Sequence, residues 1–338
     1  MPWIARLRAP LTPAGQATRA TAAASSVLVN VLSGLLLDSV ATRILLLAIG
    51  VGAVIWAGAT IVIAGHGGDI VLDLNPGDPH RDWDGYPAQV ALAQAKTERP
   101  NPALIRRRLS TNPTRRAAEL AEVKRRLNSA SGNGAQDVTV YLNATLHDSF
   151  ALGRLVRTGS FPLSLMQKSG FGQSMRYYPS VRLGSHLREP LTDTEGQQAG
   201  FLHHQTENLA VGTERLALMV VLSATPQEVV PKMRGAAGTG RSEEYVIGPG
   251  DRCRAALVIT ADRQVDEDSA SFELTVRYIY QQWTAWLAGQ DATGEHLLFL
   301  AGPTTIAMGL GWVFGPHRWR FVAHEPSGTP TVPTRARR

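Results

Sequence analysis

The longest apolar run in the chain is ILLLAIGVGAVIWAGATIVIAG, which covers residues 44–65 and holds no charge, amide, histidine or proline. As a helix, its 22 residues would extend about 33 Å, the thickness of the hydrocarbon core of a bilayer. The pattern predicts a transmembrane helix, with a buried helix of a globular domain as the alternative. Small residues at Ala48/Gly52 and Ala53/Ala57 have the spacing that lets membrane helices pack closely.

A second apolar stretch, residues 21–37, precedes the first and contains three serines and one asparagine. It fits either a second span or a helix lying in the membrane interface. With a single span, the arginines near the start of the chain would place the C-terminal part outside the cell. With a hairpin turning at 38–43, the start and the C-terminal part would both be cytoplasmic.

The next segment, residues 66–134, is interrupted by proline and glycine, and its 96–126 stretch holds ten basic and three acidic residues. Asn112 as a cap and Pro113 at the first helical position predict a helix over about 113–127. We interpret 66–134 as a basic juxtamembrane linker, whose helix either contacts anionic lipid headgroups or is simply solvated. The Ser/Gly/Asn-rich stretch 129–134 marks the predicted domain boundary.

Beyond this boundary, short apolar runs alternate with helical patterns. Near-continuous apolar runs predict buried strands, and apolar residues that recur every three or four positions predict helices. Strands are expected at 138–144, 216–224, 255–265, 296–302 and 319–325, and helices after 224, over 272–289 and over 303–315. Buried strands that alternate with helices indicate βαβ units on a mainly parallel sheet, so the predicted fold class is α/β.

In such sheets, ligands bind beyond the carboxyl ends of the strands, where helix N-termini offer backbone N–H groups to anions. Two strand-to-helix turns carry hydroxyl groups or a glycine that suit this role, although most turns of this kind bind nothing. The candidate ligand-binding residues there are Ser223, Thr225, Gly302, Pro303, Thr304 and Thr305.

The segment EHLLFLAGPTTIAMGLGWVFGPHRWRFVAHE resembles the C-terminal motif of SAVED domains. The motif's central strand and following helix match this chain at His296, Leu297, Phe299, Ala301, Pro303, Ala307, Leu310 and Gly311. The chain departs from the motif at Trp312, where a basic or polar residue is usual, and at His324-Glu325, where Tyr-Glu is usual. The resemblance covers about 135–325 and is specific after 216.

The resemblance implies a domain made of two CARF-like Rossmann units that binds a cyclic oligonucleotide in CBASS antiviral defence. One subgroup of the family carries two N-terminal transmembrane helices, which favours the hairpin topology. The expected function is thus a membrane effector: the 135–325 sensor would bind a cyclic di- or trinucleotide in the cytoplasm, form a homo-oligomer and disrupt the bacterial inner membrane. A cyclic-oligonucleotide nucleotidyltransferase would be its functional partner. The alternative is a membrane-tethered α/β ligand-binding or enzymatic domain of unrelated function, on either side of the membrane.

In the first half of the sensor, Lys168, Arg176, Tyr177 and Tyr178 could supply phosphate and base-stacking contacts, or could belong to a surface loop. The tail from 326 is basic and is expected to be disordered. The net charge of the 338 residues is +6, and the basic excess lies mainly in the terminal and juxtamembrane segments.

The composition excludes several other functions. One cysteine, Cys253, excludes an intrachain disulfide framework and a cysteine-rich zinc site, and its two flanking arginines could lower its pKa.

GAAGTGRS at 235–242 lacks the lysine of a phosphate-binding loop and is interpreted as a flexible loop. Acidic residues within 262–269 are typical of a solvated hairpin, with a cation site as the alternative. The side chains of the adjacent His203 and His204 would point in different directions, so they could not easily bind one metal ion together. We therefore expect no enzyme, metal site or cofactor.

Overall fold

The structure is a computed structural model of the chain. It describes residues 68–75, 86–99, 102–130, 138–157, 162–170, 174–209, 214–223, 225–245, 247–291, 294–315 and 318–324. The predicted spans at 21–37 and 44–65 and the tail from 326 lie outside the described residues. Within the described ranges, no helix combines the length and the apolar character needed to cross a bilayer.

Within the described part of residues 69–183, the chain forms a five-stranded sheet with three helices. Its elements in chain order are β1 (Asp69–Asp73), α1 (Tyr86–Glu98), β2 (Ala103–Arg106), α2 (Pro113–Ala130), β3 (Val138–Asn143), α3 (Leu146–Val156), β4 (Leu163–Ser169) and β5 (Arg176–Leu183). The strand order is β2-β1-β3-β4-β5. The first four strands of this order are parallel, and β5 is antiparallel to β4.

A second five-stranded sheet follows. After a 3₁₀ turn (Ser185–Arg188), the short helix α4 (Asp193–Gln198) and a second 3₁₀ turn (Ala199–Phe201), its elements are β6 (Leu202–Asn208), β7 (Leu216–Val221), α5 (Pro226–Thr239), β8 (Ala255–Ala261), α6 (Ser269–Ala288), β9 (His296–Ala301), α7 (Thr304–Phe314) and β10 (Trp319–Val322). The order is β10-β9-β7-β8-β6, with β6 antiparallel to β8 and the other pairs parallel.

The two sheets repeat one topology. In each sheet, the four parallel strands stand in the spatial order second, first, third, fourth, counted along the chain. The antiparallel strand is added beside the fourth strand in the first sheet and beside the second strand in the second sheet. The predicted α/β class is confirmed, in the form of two mixed sheets.

The elements stack in layers around a shared core. Helix α1 covers the outer face of the first sheet with small side chains at Ala88, Ala91 and Ala95. Helix α5 covers the outer face of the second sheet. The inner faces of both sheets and helices α2, α3, α6 and α7 contribute to one continuous apolar cluster. The two halves therefore share one hydrophobic core.

The two halves come into close backbone contact where α3 crosses α7, the helices that follow the third strand of each unit. A Cβ atom added at Gly153 would lie 2.0 Å from the carbonyl oxygen of Met308, and one at Gly311 would lie 2.1 Å from that of Phe150. Both distances are below any van der Waals contact, so the two backbones approach as closely as they do because both positions are glycine.

The linker prediction for 66–134 is wrong in its described part. Strand β1 is fully buried and pairs with both β2 and β3, so it lies inside the first sheet. The helix expected at about 113–127 is present as α2, and it packs on this sheet. The boundary at 129–134 therefore falls inside one unit, and a fragment that begins at 135 would lack β1, β2 and the helices α1 and α2.

Two smaller interpretations are also wrong. Residues 235–239 of the supposed flexible loop form the last turn of α5, which ends at Gly240 with a left-handed backbone (φ 97°). The acidic segment 262–268 connects β8 to α6 and is not a hairpin. Its acids have structural partners: Asp268 caps α6 by accepting the backbone N–H of Ser271 at 2.8 Å, and Asp266 pairs with Arg263.

The glycine contact at the helix crossing is testable. We expect Gly311→Ala to lower the free energy of unfolding by about 1–3 kcal/mol, because the methyl group would force the two backbones apart. Gly196→Ala is the matched control, since nothing lies within 4 Å of a Cβ at that position in α4. Urea unfolding followed by circular dichroism measures both. Equal midpoints for Gly311→Ala and the wild type would contradict the crossing.

Candidate functional site

Each sheet has a point at which the strand order reverses. In the first sheet it lies between β1 and β3, and in the second between β7 and β9. Connections from neighbouring strands leave in opposite directions at such a point, which opens a crevice at the carboxyl ends of the strands. The candidate residues were predicted at the second of these two points.

Ser223 and Thr225 flank the start of α5 at the end of β7. Val221 is the register partner of Ala301, and the backbone N–H of Leu222 donates to the carbonyl of Ala301 at 2.8 Å. These contacts bring the two predicted turns side by side. The hydroxyl oxygen of Ser223 is buried and has no hydrogen-bond partner within the described part of the chain. The Thr225 side chain makes no cap hydrogen bond to α5.

The turn after β9 leads into α7. Gly302 lies against Leu222, whose side chain would be 3.3 Å from an added Cβ. Pro303 is the N-cap residue of α7 and makes no side-chain cap. Thr304 is half-buried and Thr305 is fully buried. The six predicted residues of the two turns thus lie at one edge, but they differ strongly in accessibility.

Gln167 of β4 occupies the N-terminus of α7. Its side-chain oxygen accepts hydrogen bonds from the Thr305 hydroxyl at 2.9 Å, the Thr305 backbone N–H at 3.3 Å and the Thr304 hydroxyl at 3.4 Å. A neutral amide oxygen therefore lies where a helix N-terminus would otherwise attract an anion. This contact also shows that the carboxyl end of β4 in the first sheet meets the carboxyl edge of the second.

Tyr178 lies beside this contact. It is the cross-strand partner of Gln167, and its ring packs edge-on against Phe272 of α6, with ring centroids 5.7 Å apart. Burial, together with the nearby Glu267 carboxylate, raises the pKa of the Tyr178 hydroxyl above its usual range. The phenol stays protonated across the physiological pH range and can donate a hydrogen bond.

The other predicted residues of the β4–β5 hairpin have separate surroundings. Arg176 pairs with Glu267 at 2.7 Å, and the Ser169 hydroxyl donates to the same carboxylate. Lys168 is the register partner of Tyr177 and lies on that residue's side of the sheet, toward α1. Tyr177 packs edge-on against Tyr141 and donates its hydroxyl proton to the carbonyl of Pro87, so it faces away from α7.

The structure therefore brings Tyr178 together with Thr304 and Thr305 through Gln167, which the sequence analysis did not predict. Arg176 and Lys168 lie on the same hairpin, but Arg176 is committed to an ion pair. A polar residue at the end of a strand was the only sequence signal for Gln167.

The first sheet carries a buried polar cluster at its own reversal point. Asp73 is fully buried and accepts hydrogen bonds from Arg106 Nε at 2.8 Å and Asn143 Nδ2 at 2.7 Å. These residues come from β1, β2 and β3, three adjacent strands. The sequence pattern did not indicate this cluster, because Asp73 and Arg106 lie in the segment interpreted as a linker.

The remaining candidates are structural. His203 pairs with Asp262, whereas His204 contacts the Tyr278 hydroxyl at 3.0 Å, so the two imidazoles have different partners. Burial raises the pKa of the Cys253 thiol to about 12, opposed only weakly by Arg215 and Arg320. The expectation of a lowered pKa is therefore wrong. The described residues contain no cluster of three or more His, Cys, Asp or Glu that could hold a metal ion.

No protein-family model matches the sequence, and no curated protein matches it. Among solved structures, the chain is similar to the SAVED/CARF-domain containing receptor Cap4 of Acinetobacter baumannii. The matches are to the receptor with the cyclic trinucleotide 3'3'3'-cAAA (11% identity, TM-score 0.44, covering 77% of this chain and 52% of the receptor), with 2'3'3'-cAAA (12%, 0.45, 77% and 51%) and to the receptor alone (12%, 0.43, 77% and 50%). This chain spans about half the length of these receptors.

The raised pKa of the Cys253 thiol predicts that this residue reacts slowly with thiol reagents. With its pKa raised to about 12, the thiol should react with a thiol-specific reagent at pH 8 at least about a thousandfold more slowly than the unfolded chain does. Because it is the single cysteine of the chain, the measured rate belongs to this residue. Absorbance with a chromogenic disulfide reagent, with and without denaturant, measures both rates. Equal rates would contradict this environment.

Proposed function

We propose that the chain is a SAVED-type receptor that binds a cyclic oligonucleotide at the carboxyl edge of its sheets. The observation that carries the proposal is the contact of Gln167 with Thr304 and Thr305. It joins the carboxyl end of one α/β unit to that of the other, so that a single ligand can contact both units.

The repeated strand order supports the proposal. SAVED domains are fused pairs of CARF-like Rossmann units, and two units with the same order of parallel strands are present here. The residues that carry the sequence resemblance have a structural role at the junction of these units. Leu297 and Phe299 are buried in β9, Ala307 and Leu310 are buried in α7, and Gly311 makes the close helix contact.

The chemistry of the edge suits a nucleotide. Hydroxyl groups of Ser223, Thr225 and Thr304 can donate to phosphate oxygens, and the neutral Tyr178 phenol can donate to a phosphate or a base. Lys168 carries a positive charge on the same hairpin, but it lies on the opposite face of the sheet, toward α1. The N-terminus of α7 becomes available to an anion when Gln167 is displaced. The Cap4 structures name cyclic trinucleotides as ligands of that receptor, and we propose the same class here.

We further propose that the receptor is an effector anchored in the inner membrane by 44–65, with 21–37 as a second span and the sensor in the cytoplasm. Ligand binding would favour a homo-oligomer, whose apolar segments then disrupt the bilayer. The ligand would come from a cyclic-oligonucleotide nucleotidyltransferase, and no catalytic step belongs to the chain itself. The apolar length of 44–65 supports this part of the proposal.

The ligand site is tested with the full-length protein in detergent solution. Isothermal titration calorimetry with a panel of cyclic di- and trinucleotides should detect binding by the wild type. Thr304→Glu should weaken it by at least about tenfold, because the carboxylate repels phosphate while a negative charge at a helix N-terminus leaves the fold intact. Thr284→Glu is the matched control, because Thr284 lies near the C-terminal end of α6, away from the proposed ligand site. No binding of any member by the wild type would overturn the receptor function.

The membrane function is tested separately. Full-length protein in dye-filled vesicles of bacterial lipid should release dye when its matched cyclic nucleotide is added, because binding shifts the population toward the assembled state. Thr304→Glu at the same protein density is the control, and it should release no dye at that ligand concentration. If the wild type binds the nucleotide and the vesicles remain sealed, the membrane part of the proposal fails and the receptor part stands.

A further inference from the structure

Five arginines lie around the carboxyl edge of the first sheet. They end β2 or follow it, or they lie in the first turn of α2: Arg106, Arg107, Arg108, Arg115 and Arg116. Three carboxylates lie among them, and all three are buried: Asp73, Glu119 and Asp148. Since α2 and α3 both start at this edge, the charges of both helix N-termini add to those of the arginines.

Two of the buried carboxylates hold one arginine each. Arg106 Nε donates to Asp73 at 2.8 Å, while the arginine side chain is 45% exposed. Arg116 Nε donates to Asp148 at 2.6 Å, and the second oxygen of Asp148 accepts the Thr145 hydroxyl at 2.7 Å. Both arginines are thus fixed at the edge, Arg106 nearly half exposed and Arg116 with 24% of its side chain exposed.

The third buried carboxylate, Glu119, contacts two further arginines. Arg115 Nε donates to Glu119 at 3.2 Å, and Arg107 lies 3.7 Å from the same oxygen. The other oxygen accepts the backbone N–H of Ser110 at 2.7 Å. This backbone bond and the two arginines lower the pKa of Glu119, so it stays ionised. The side chains of Arg115 and Arg107 are 76% and 37% exposed.

The exposed surface of this edge is therefore basic and rich in donors. A guanidinium has five N–H donors, and in Arg106, Arg115 and Arg116 the described bond to the carboxylate uses Nε. Those bonds leave the two terminal nitrogens of each group unused, and a guanidinium can bind phosphate through two nitrogens. Because the acids are buried and Arg106, Arg107 and Arg115 are exposed, an approaching ligand meets positive charge first.

A cyclic trinucleotide carries three phosphodiester charges around its ring, and the described residues around Gln167 offer little to balance them. Arg176, on the β4–β5 hairpin, is paired with Glu267, and Gln167 fills the N-terminus of α7. In the first sheet, β2 and β4 are three strand spacings apart, about 14 Å. A ring seated near Gln167 can extend along the carboxyl edge toward β2.

We propose that this arginine edge binds phosphate groups of the ligand, which makes the first unit the main source of phosphate recognition. The inference rests on the proposed receptor function and deepens it. Lipid headgroups share the phosphate chemistry, but the arginine edge belongs to the same carboxyl edge of the first sheet as Gln167, where the nucleotide is proposed to bind. The nucleotide is therefore the ligand that the placement favours.

The test uses the full-length protein in detergent and 3'3'3'-cAAA as the probe, or the member of the panel that binds the wild type. Arg107→Gln with Arg115→Gln should weaken binding by at least about tenfold and make the affinity less dependent on salt, because fewer counterion-releasing contacts remain. Arg125→Gln is the matched control: it lies in α2, is 72% exposed and also pairs with a glutamate, Glu122. It should bind within about twofold of the wild type.

Two further arms make the result decisive. Arg107→Lys with Arg115→Lys keeps the charge and the partner of Glu119, so it should retain the salt dependence even if the glutamine pair unfolds. Glycerophosphoserine, a soluble lipid headgroup, should not compete with the nucleotide. A wild type that binds the nucleotide while both double variants match it in affinity and salt dependence would overturn the inference alone. Competition by glycerophosphoserine would assign the edge to lipid instead, and failure of the wild type to bind any nucleotide removes the receptor function itself.

Discussion

The architecture depends on the close crossing of α3 and α7. Gly153 and Gly311 let the two backbones approach until added side-chain atoms would overlap the opposite carbonyl groups. At this separation, the inner faces of both sheets can reach one core, and that core includes Phe150, Met308 and Leu310. A wider crossing would leave voids on both sides, which a close-packed interior does not tolerate cheaply. The same helices start at the carboxyl ends of β3 and β9, so their crossing also sets where the two edges lie.

A shared core changes how the halves can be treated. Neither sheet has a complete hydrophobic interior of its own, because the inner face of each is covered by helices that also pack on the other unit. The β4–β5 hairpin strengthens the junction, since β5 packs against α6 and β4 reaches α7. We expect the two units to fold and unfold together, as one cooperative domain.

Sequence patterns predicted the second unit far better than the first. Strands β7, β8 and β9 are buried on both faces, so their apolar runs are nearly continuous. Strand β1 has five residues with an aspartate at each end, and α1 buries only alanines, so neither gives a strong hydrophobic period. The turns at Ser223 and Thr304 were found because the end of a βα unit is a local feature. The partnership of Gln167 with Thr304 joins residues 137 positions apart, and no local pattern encodes it.

The amide of Gln167 gives the molecule an internal competitor. Small anions such as phosphate or sulfate are abundant in cells, and an uncovered helix N-terminus would hold them weakly. With Gln167 in place, an incoming anion must first break three hydrogen bonds, and it recovers that cost only if it makes further contacts along the edge. A single phosphate has few such contacts to make, whereas a larger polyanion has many. For the proposed nucleotide ligand, the position would thus act as a filter on size and charge, which selects against background ions before any base is recognised.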